Sequence, residues 1–104
     1  MEPVFVEVTA AVIFRNGRVL IAKRRKEDRQ GGKWEFPGGK IRAGETAEAC
    51  LRRELSEELG IEARIGEPVG TWDHRYDFGS IRLLVYRVRD FSGTARPLSH
   101  EEIR

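Results

Sequence analysis

The chain has a single cysteine, Cys50, among 104 residues, so no intramolecular disulfide can staple it and its core must hold by packing. A small packed side chain within a helix is the expected role of that thiol. Long hydrophobic runs are missing too. No stretch approaches the ~20 apolar residues of a membrane-spanning helix, and Met-Glu-Pro-Val-Phe-Val-Glu-Val at the start lacks the basic region and apolar run of a secretory signal. No membrane and a reducing cytoplasm are therefore the expectation. Neither sign of charge dominates: 19 Lys plus Arg stand against 17 Asp plus Glu, a formal net charge of +2, which suggests neither a nucleic-acid coat nor a membrane surface. His74 and His100 are far apart and show no ligand spacing, which argues against a zinc site. Repeats, low-complexity tracts and linkers are absent as well, leaving one small domain over 1–104.

What is present begins with a helix. Thr46 to Leu59 is rich in Ala, Leu, Glu and Arg, contains no Pro or Gly, follows a Gly-Glu-Thr run suited to capping and stops at Gly60. Leu51, Leu55 and Leu59 recur at i, i+4 and i+8 and form one apolar stripe facing a core. At about 100° per residue Glu58 lies between Ala47 and Leu51, at the edge of that stripe, while Glu54 and Glu57 fan outward. Glu54 and Glu58 are also a like-charge i, i+4 pair, which costs roughly 0.2–0.5 kcal/mol on a bare helix. A hard divalent cation, Mg²⁺ or Mn²⁺, is the economical compensation, because such ions favour clustered oxygen ligands. The alternative is a solvated acidic face with Arg52 and Arg53 as partners.

Around the helix the pattern is of strands. Val4 to Phe14 is β-branched and apolar, Arg15-Asn16-Gly17-Arg18 supplies an Asn-Gly turn, and Val19 to Ala22 returns, which predicts a hairpin. Lys26 to Lys33 reads as a loop and Trp34-Glu35-Phe36 as a short strand ending at Pro37-Gly38-Gly39. Val69 to Trp72 and Ile81 to Val88 read as further strands joined by a polar turn over Asp73 to Ser80. Strands, a helix and more strands indicate an α/β or α+β fold with a mixed sheet. Pro37-Gly38-Gly39 can bring backbone groups close to a ligand because no Cβ intervenes, and is equally compatible with a tight turn needing positive φ.

Gly39 to Ile61 fits the spacing G-x5-E-x7-R-E-U-x-E-E-x-G-U, where U is a bulky aliphatic. Gly39, Glu45, Arg53, Glu54, Leu55, Glu57, Glu58, Gly60 and Ile61 fill all nine fixed positions over twenty-three residues. The segment resembles the Nudix box, and Trp-Glu-Phe-Pro-Gly-Gly-Lys-Ile extends the likeness toward MutT-type and CTP pyrophosphohydrolase-type Nudix enzymes. The resemblance implies a Nudix-type α/β/α sandwich occupying 1–104. In that fold a terminal strand and helix usually follow the equivalent of Arg104, where this sequence stops. Either they lie beyond this sequence or the protein lacks that layer, and apolar surface left bare here is expected to be covered in a homodimer, by aggregation or by the residues that follow.

The resemblance also assigns roles. It implies a metal site built from the Gly38 carbonyl with Glu54, Glu57 and Glu58, with Arg53 orienting the helix through a carboxylate and Gly39 and Glu45 in support. A charge stabilising the helix N-terminus is the other reading of Glu45. Some relatives place a catalytic glutamate where this chain has Ser99, which makes Glu101 the candidate base. Arg24, at the end of the hairpin, matches an arginine that contacts substrate in the MutT branch, with Lys23 as its understudy; a solvated strand end is the alternative for this basic run. Phe36, Tyr76 and Phe78 are candidate walls for a nucleobase, or core residues. The implied reaction is Mg²⁺-dependent hydrolysis of a nucleoside triphosphate to a monophosphate and pyrophosphate, with 8-oxo-dGTP as first substrate and CTP or a modified dCTP as rival. A Nudix-fold domain that binds nucleotide without turnover is a further alternative. No stable nucleic-acid partner is expected, since Lys23 to Lys26 is too small a basic patch.

Overall fold

In the computed structural model the described residues are 5–28, 31–77 and 79–104. Phe78, one of the expected base-contacting residues, lies outside them, as do Val4 and two positions of the 26–33 loop. The chain forms β1 (Phe5–Arg15), β2 (Arg18–Val19), β3 (Ala22–Lys23), β4 (Trp34–Glu35), α1 (Ala47–Leu59), β5 (Glu62–Tyr76), β6 (Gly79–Ser92) and β7 (Glu102–Ile103). Two sheets result: a mixed one ordered β2-β1-β6-β5, with β1 parallel to β6, and an antiparallel one ordered β4-β3-β7.

The Asn-Gly turn closes β1 onto β2 with both central residues at positive φ, Asn16 at 54° and Gly17 at 72°, the twist a two-residue hairpin requires. The expected return over Val19–Ala22 nevertheless breaks in two. After Leu20, whose amide reaches the Ile13 carbonyl, the chain leaves β1, because the next part of that edge is already taken. The amides of Ala11 and Thr9 donate to the carbonyls of Pro37 and Gly39 at 2.8 and 2.7 Å, and that of Ile41 donates to Glu7. The glycine loop thus fills the edge of β1, and β3 finds its partners in β4 and in β7 at the other end of the chain.

The second hairpin is longer than its composition suggests. Polar residues between Asp73 and Ser80 read as a turn, yet pairing runs on to Tyr76 opposite Gly79. Exposed strands tolerate such residues when cross-strand partners meet, and Asp73 faces Arg82 directly, with oxygen–nitrogen distances of 2.9 and 3.2 Å. The two strands slip between Arg64 and Gly70, where the ladder is irregular.

Thr46 caps α1 by accepting from the Ala49 amide at 3.1 Å, and Gly60 at φ 69° ends it. Leu51, Leu55 and Leu59 are wholly buried against Ala11, Ile13, Ile61, Ala63 and Val88, and each contributes roughly 1.5–3 kcal/mol by leaving water. Among the described residues α1 is the one helix, and it covers one face of the mixed sheet. On the other face Val6 and Trp72 are 44% and 53% exposed. Leu55→Ala is expected to cost roughly 2–5 kcal/mol, and Arg52→Ala, on the exposed side, no more than about 0.5 kcal/mol. Urea denaturation of the two variants checks the contrast.

Candidate active site

The glycine loop and α1 meet because two glycines leave room for it. A Cβ on Gly38, whose φ is 153°, would stand 2.0 Å from the Thr9 carbonyl oxygen. A Cβ on Gly39 would stand 2.4 Å from the Glu54 carboxyl carbon. Close approach is therefore a requirement on both neighbours: the loop lies against β1 on one side and under Glu54 on the other. Pro37 and Gly39 turn their carbonyls to β1, and the Gly38 amide turns away to donate to Glu58 Oε2 at 3.0 Å.

Arg53 ties the loop to the helix. Its Nε and Nη2 grip both oxygens of Glu45 at 2.7 and 3.0 Å, Nη1 reaches Glu54 Oε1 at 2.7 Å and Glu57 Oε2 at 3.4 Å, and Nη2 also donates to the Lys40 carbonyl at 3.1 Å. The fork geometry is the strong form of a charge-assisted bond. It holds the Glu45 carboxyl down at about 2, with the Arg42 amide adding to the effect, and pushes the Arg53 guanidinium above its usual range. Beneath them Cys50 is buried, its sulfur 3.3 Å from the Lys40 carbonyl and 3.4 Å from the Thr9 hydroxyl. Burial raises its thiol, as befits a packing residue.

Glu58 is held differently. Burial pushes its carboxyl from the usual 4.5 up to about 8; the Gly38 amide opposes that rise, and the charges of Glu54, Glu35 and Glu57 add to it. It lines a cavity of about 770 Å³ with Gly38, Gly39, Phe36, Arg24, Glu35 and others. Of the residues expected from sequence, the cavity therefore gathers Arg24, Phe36, Gly38, Gly39 and Glu58. Glu54 and Glu57 are drawn to Arg53 beside it, and among the described residues no three acidic, histidine or cysteine side chains stand as a finished metal cage. Lys23, Glu101 and Tyr76 do not line the cavity. Lys23 faces Glu101 at 4.0 Å and stands over the Trp34 ring, and Tyr76 packs against His74 with the rings tilted by 55°, near the tip of the long hairpin.

Glu35 and His100 are among the lining residues that were not anticipated. Glu35 sits on β4, and His100 reaches its Oε2 at 2.9 Å from 65 residues away. Trp34-Glu35-Phe36 was legible as a strand but carried no sign of which side chain faces the cavity, and the histidine has no local pattern at all.

This geometry belongs to a known class. Residues 5–104 match the NUDIX domain, and the chain belongs to the Nudix family. It is 42% identical to the CTP pyrophosphohydrolase of Escherichia coli (strain K12) over 98 residues, 94% of this chain and 73% of that protein. It is 36% identical to the 8-oxo-dGTP diphosphatase of Proteus vulgaris over 92 residues, 88% of this chain and 82% of that one. The crystal structure of the MutT NUDIX hydrolase from Burkholderia pseudomallei superposes with a TM-score of 0.88 at 33% identity, over 95% of this chain and 80% of that chain. The protein is a Nudix hydrolase acting on phosphoric anhydride bonds, a family that generally needs a divalent metal and acts on nucleotides. No helix among the described residues is long and apolar enough to cross a membrane.

The raised Glu58 carboxyl sets a pH dependence. The folded state holds this proton up to about pH 8 and the unfolded chain only to its usual 4.5, so stability from this group is complete below 4.5 and is lost as pH rises through 8. In metal-free buffer Glu58→Gln should remove that slope and, above pH 8, raise Tm over wild type by roughly 4–8 °C, the shift that ~1 kcal/mol gives a domain of this size. Thermal melts in chelator at pH 5 and pH 8.5 check this; equal slopes for the two proteins would refute it.

Proposed function

We propose that the protein is a Mg²⁺-dependent nucleoside triphosphate pyrophosphohydrolase, releasing a nucleoside monophosphate and pyrophosphate. The observation that carries this reading is the Glu58 carboxylate, half-buried among Glu54, Glu57 and Glu35 and set against the Gly38 amide at a cavity wall that also bears Arg24. Such an excess of negative charge on oxygen donors, with no ion pair to Glu58 among the described residues, fits a hard divalent ion. Glu54, Glu57, Glu58 and the Gly38 carbonyl are the residues that would hold it. Mg²⁺, or Mn²⁺ in its place, would neutralise the diphosphate and make the attacking water more acidic.

The chain's own groups supply the rest. Arg24 takes phosphate oxygens on the cavity wall, where a guanidinium can offer two parallel donors. Arg53 keeps the helix seated on the loop through Glu45, so that the carboxylates of α1 face the loop backbone without reorganising during the reaction. Phe36, 44% exposed and lining the cavity, offers an apolar face to the base. No Ser, Cys or His nucleophile is required, because positioning and charge stabilisation carry phosphoryl chemistry.

The substrate we favour is 8-oxo-dGTP, which gives a role in cleansing the nucleotide pool and is supported by the name of the Proteus relative. The Escherichia relative's name favours CTP as a second reading. The ratio of kcat/KM for 8-oxo-dGTP and CTP, measured by pyrophosphate release, separates the two. With either nucleotide, Glu57→Gln is expected to cut Mg²⁺-dependent kcat by roughly 10²–10⁴ while leaving the protein folded. Undiminished Mg²⁺-dependent turnover in the folded variant would end the assignment.

A further inference from the structure

One wall of the cavity carries a line of contacts from the last residues of the chain to Arg24. His100 is 5% exposed, and its Nε2 stands 2.9 Å from Glu35 Oε2. Its Nδ1 is buried without a partner among the described residues. A carboxylate oxygen only accepts, so the proton belongs on Nε2, where it is donated to Glu35. The neighbouring Glu101 amide fixes this segment by donating to the Lys23 carbonyl at 2.8 Å.

Arg24 approaches the same carboxylate more loosely. Its Nη1 is 3.4 Å from both Glu35 oxygens, long beside the ~2.7–2.9 Å of a strong charge-assisted bond. The short bond of Glu35 is to His100 and the long ones are to Arg24. All three residues line the cavity. A Glu35 side chain released from His100 would be able to close on the guanidinium as a fork, and a fork with carboxylate occupies the donors that a phosphate needs.

We propose that His100 is a positioning residue for substrate binding: by holding Glu35 in a short hydrogen bond it keeps that carboxylate from closing on Arg24, and so keeps the guanidinium able to take nucleotide phosphate. The inference rests on the reading of Arg24 as the phosphate clamp. It assigns a purpose to a buried histidine, and it makes the Glu35 charge a competitor of substrate whenever His100 is lost.

Steady-state kinetics of the full chain test it, with whichever of 8-oxo-dGTP and CTP the enzyme hydrolyses. His100→Leu, and His100→Asn whose amide is too short to reach Glu35, should raise KM roughly tenfold with kcat changed less than about twofold; His100→Gln, long enough to donate, should stay near wild type. In a Glu35→Gln background the same His100 substitutions should move KM by less than about twofold, because no charge remains to close on Arg24. His100→Asn decides the matter if His100→Leu does not fold. A KM effect of the same size in both backgrounds, a loss confined to kcat, or an unchanged KM in folded His100→Asn overturns the proposal. Arg24→Ala separates the two layers: if it leaves KM unchanged, the clamp fails and the positioning role with it; if it raises KM while the His100 effect ignores the Glu35 charge, the positioning role alone fails.

Discussion

A single guanidinium spans the gap between the glycine loop and α1. Arg53 holds Glu45, which precedes the helix, by both oxygens, takes Glu54 and Glu57 from its own face and reaches the Lys40 carbonyl in the loop. Without it the helix would still be seated by the three leucines, but hydrophobic packing is non-directional and tolerates sliding. The fork fixes both the rotation of α1 and its height over the loop, and so determines which carboxylates face Gly38 and Gly39. It also compensates the like-charge crowding of Glu54 and Glu57, which leaves Glu58 as the acidic side chain of that turn with no guanidinium paired to it among the described residues.

The glycines act on the same constraint from the other side. Gly38 has to pass β1 at a distance no Cβ permits, and Gly39 has to lie under the Glu54 carboxyl group. With the loop pinned along the edge of β1, the chain after Leu20 is forced outward to build the small sheet of β4, β3 and β7. That sheet carries Glu35 and Lys23, with Arg24 just beyond it, and brings Ser99 and His100 to the cavity wall. One edge preference thus decides both the acidic floor of the site and its basic wall.

The helix and the loop were legible in the sequence because their signals are local. Leucines at a helical spacing, a threonine cap, a terminal glycine and nine spaced motif residues all fall within one short segment, and the structure places α1 over Ala47–Leu59 as that pattern requires. The split of the first hairpin was not legible, since it depends on the loop competing for the edge of β1 from across the sequence. The length of β5 was hidden by polar residues that pair through the backbone and through Asp73 and Arg82. The link from Glu35 to His100 joins positions with no common periodicity. Glu101 was chosen by its place in the sequence near a residue that matters in relatives, whereas the fold turns it toward Lys23 and gives the cavity Ser99 and His100 instead.

The central claim is that the loop backbone and the acidic turn of α1 form one divalent-cation site. Titration of ¹⁵N-labelled protein with Mn²⁺, followed by paramagnetic broadening of the amide signals, tests it directly. The account predicts broadening that begins at Gly38, Gly39 and the amides of Glu54 to Glu58 and is reversed by excess Mg²⁺. Broadening that begins elsewhere, or none at these amides with Mn²⁺ in excess, would contradict it.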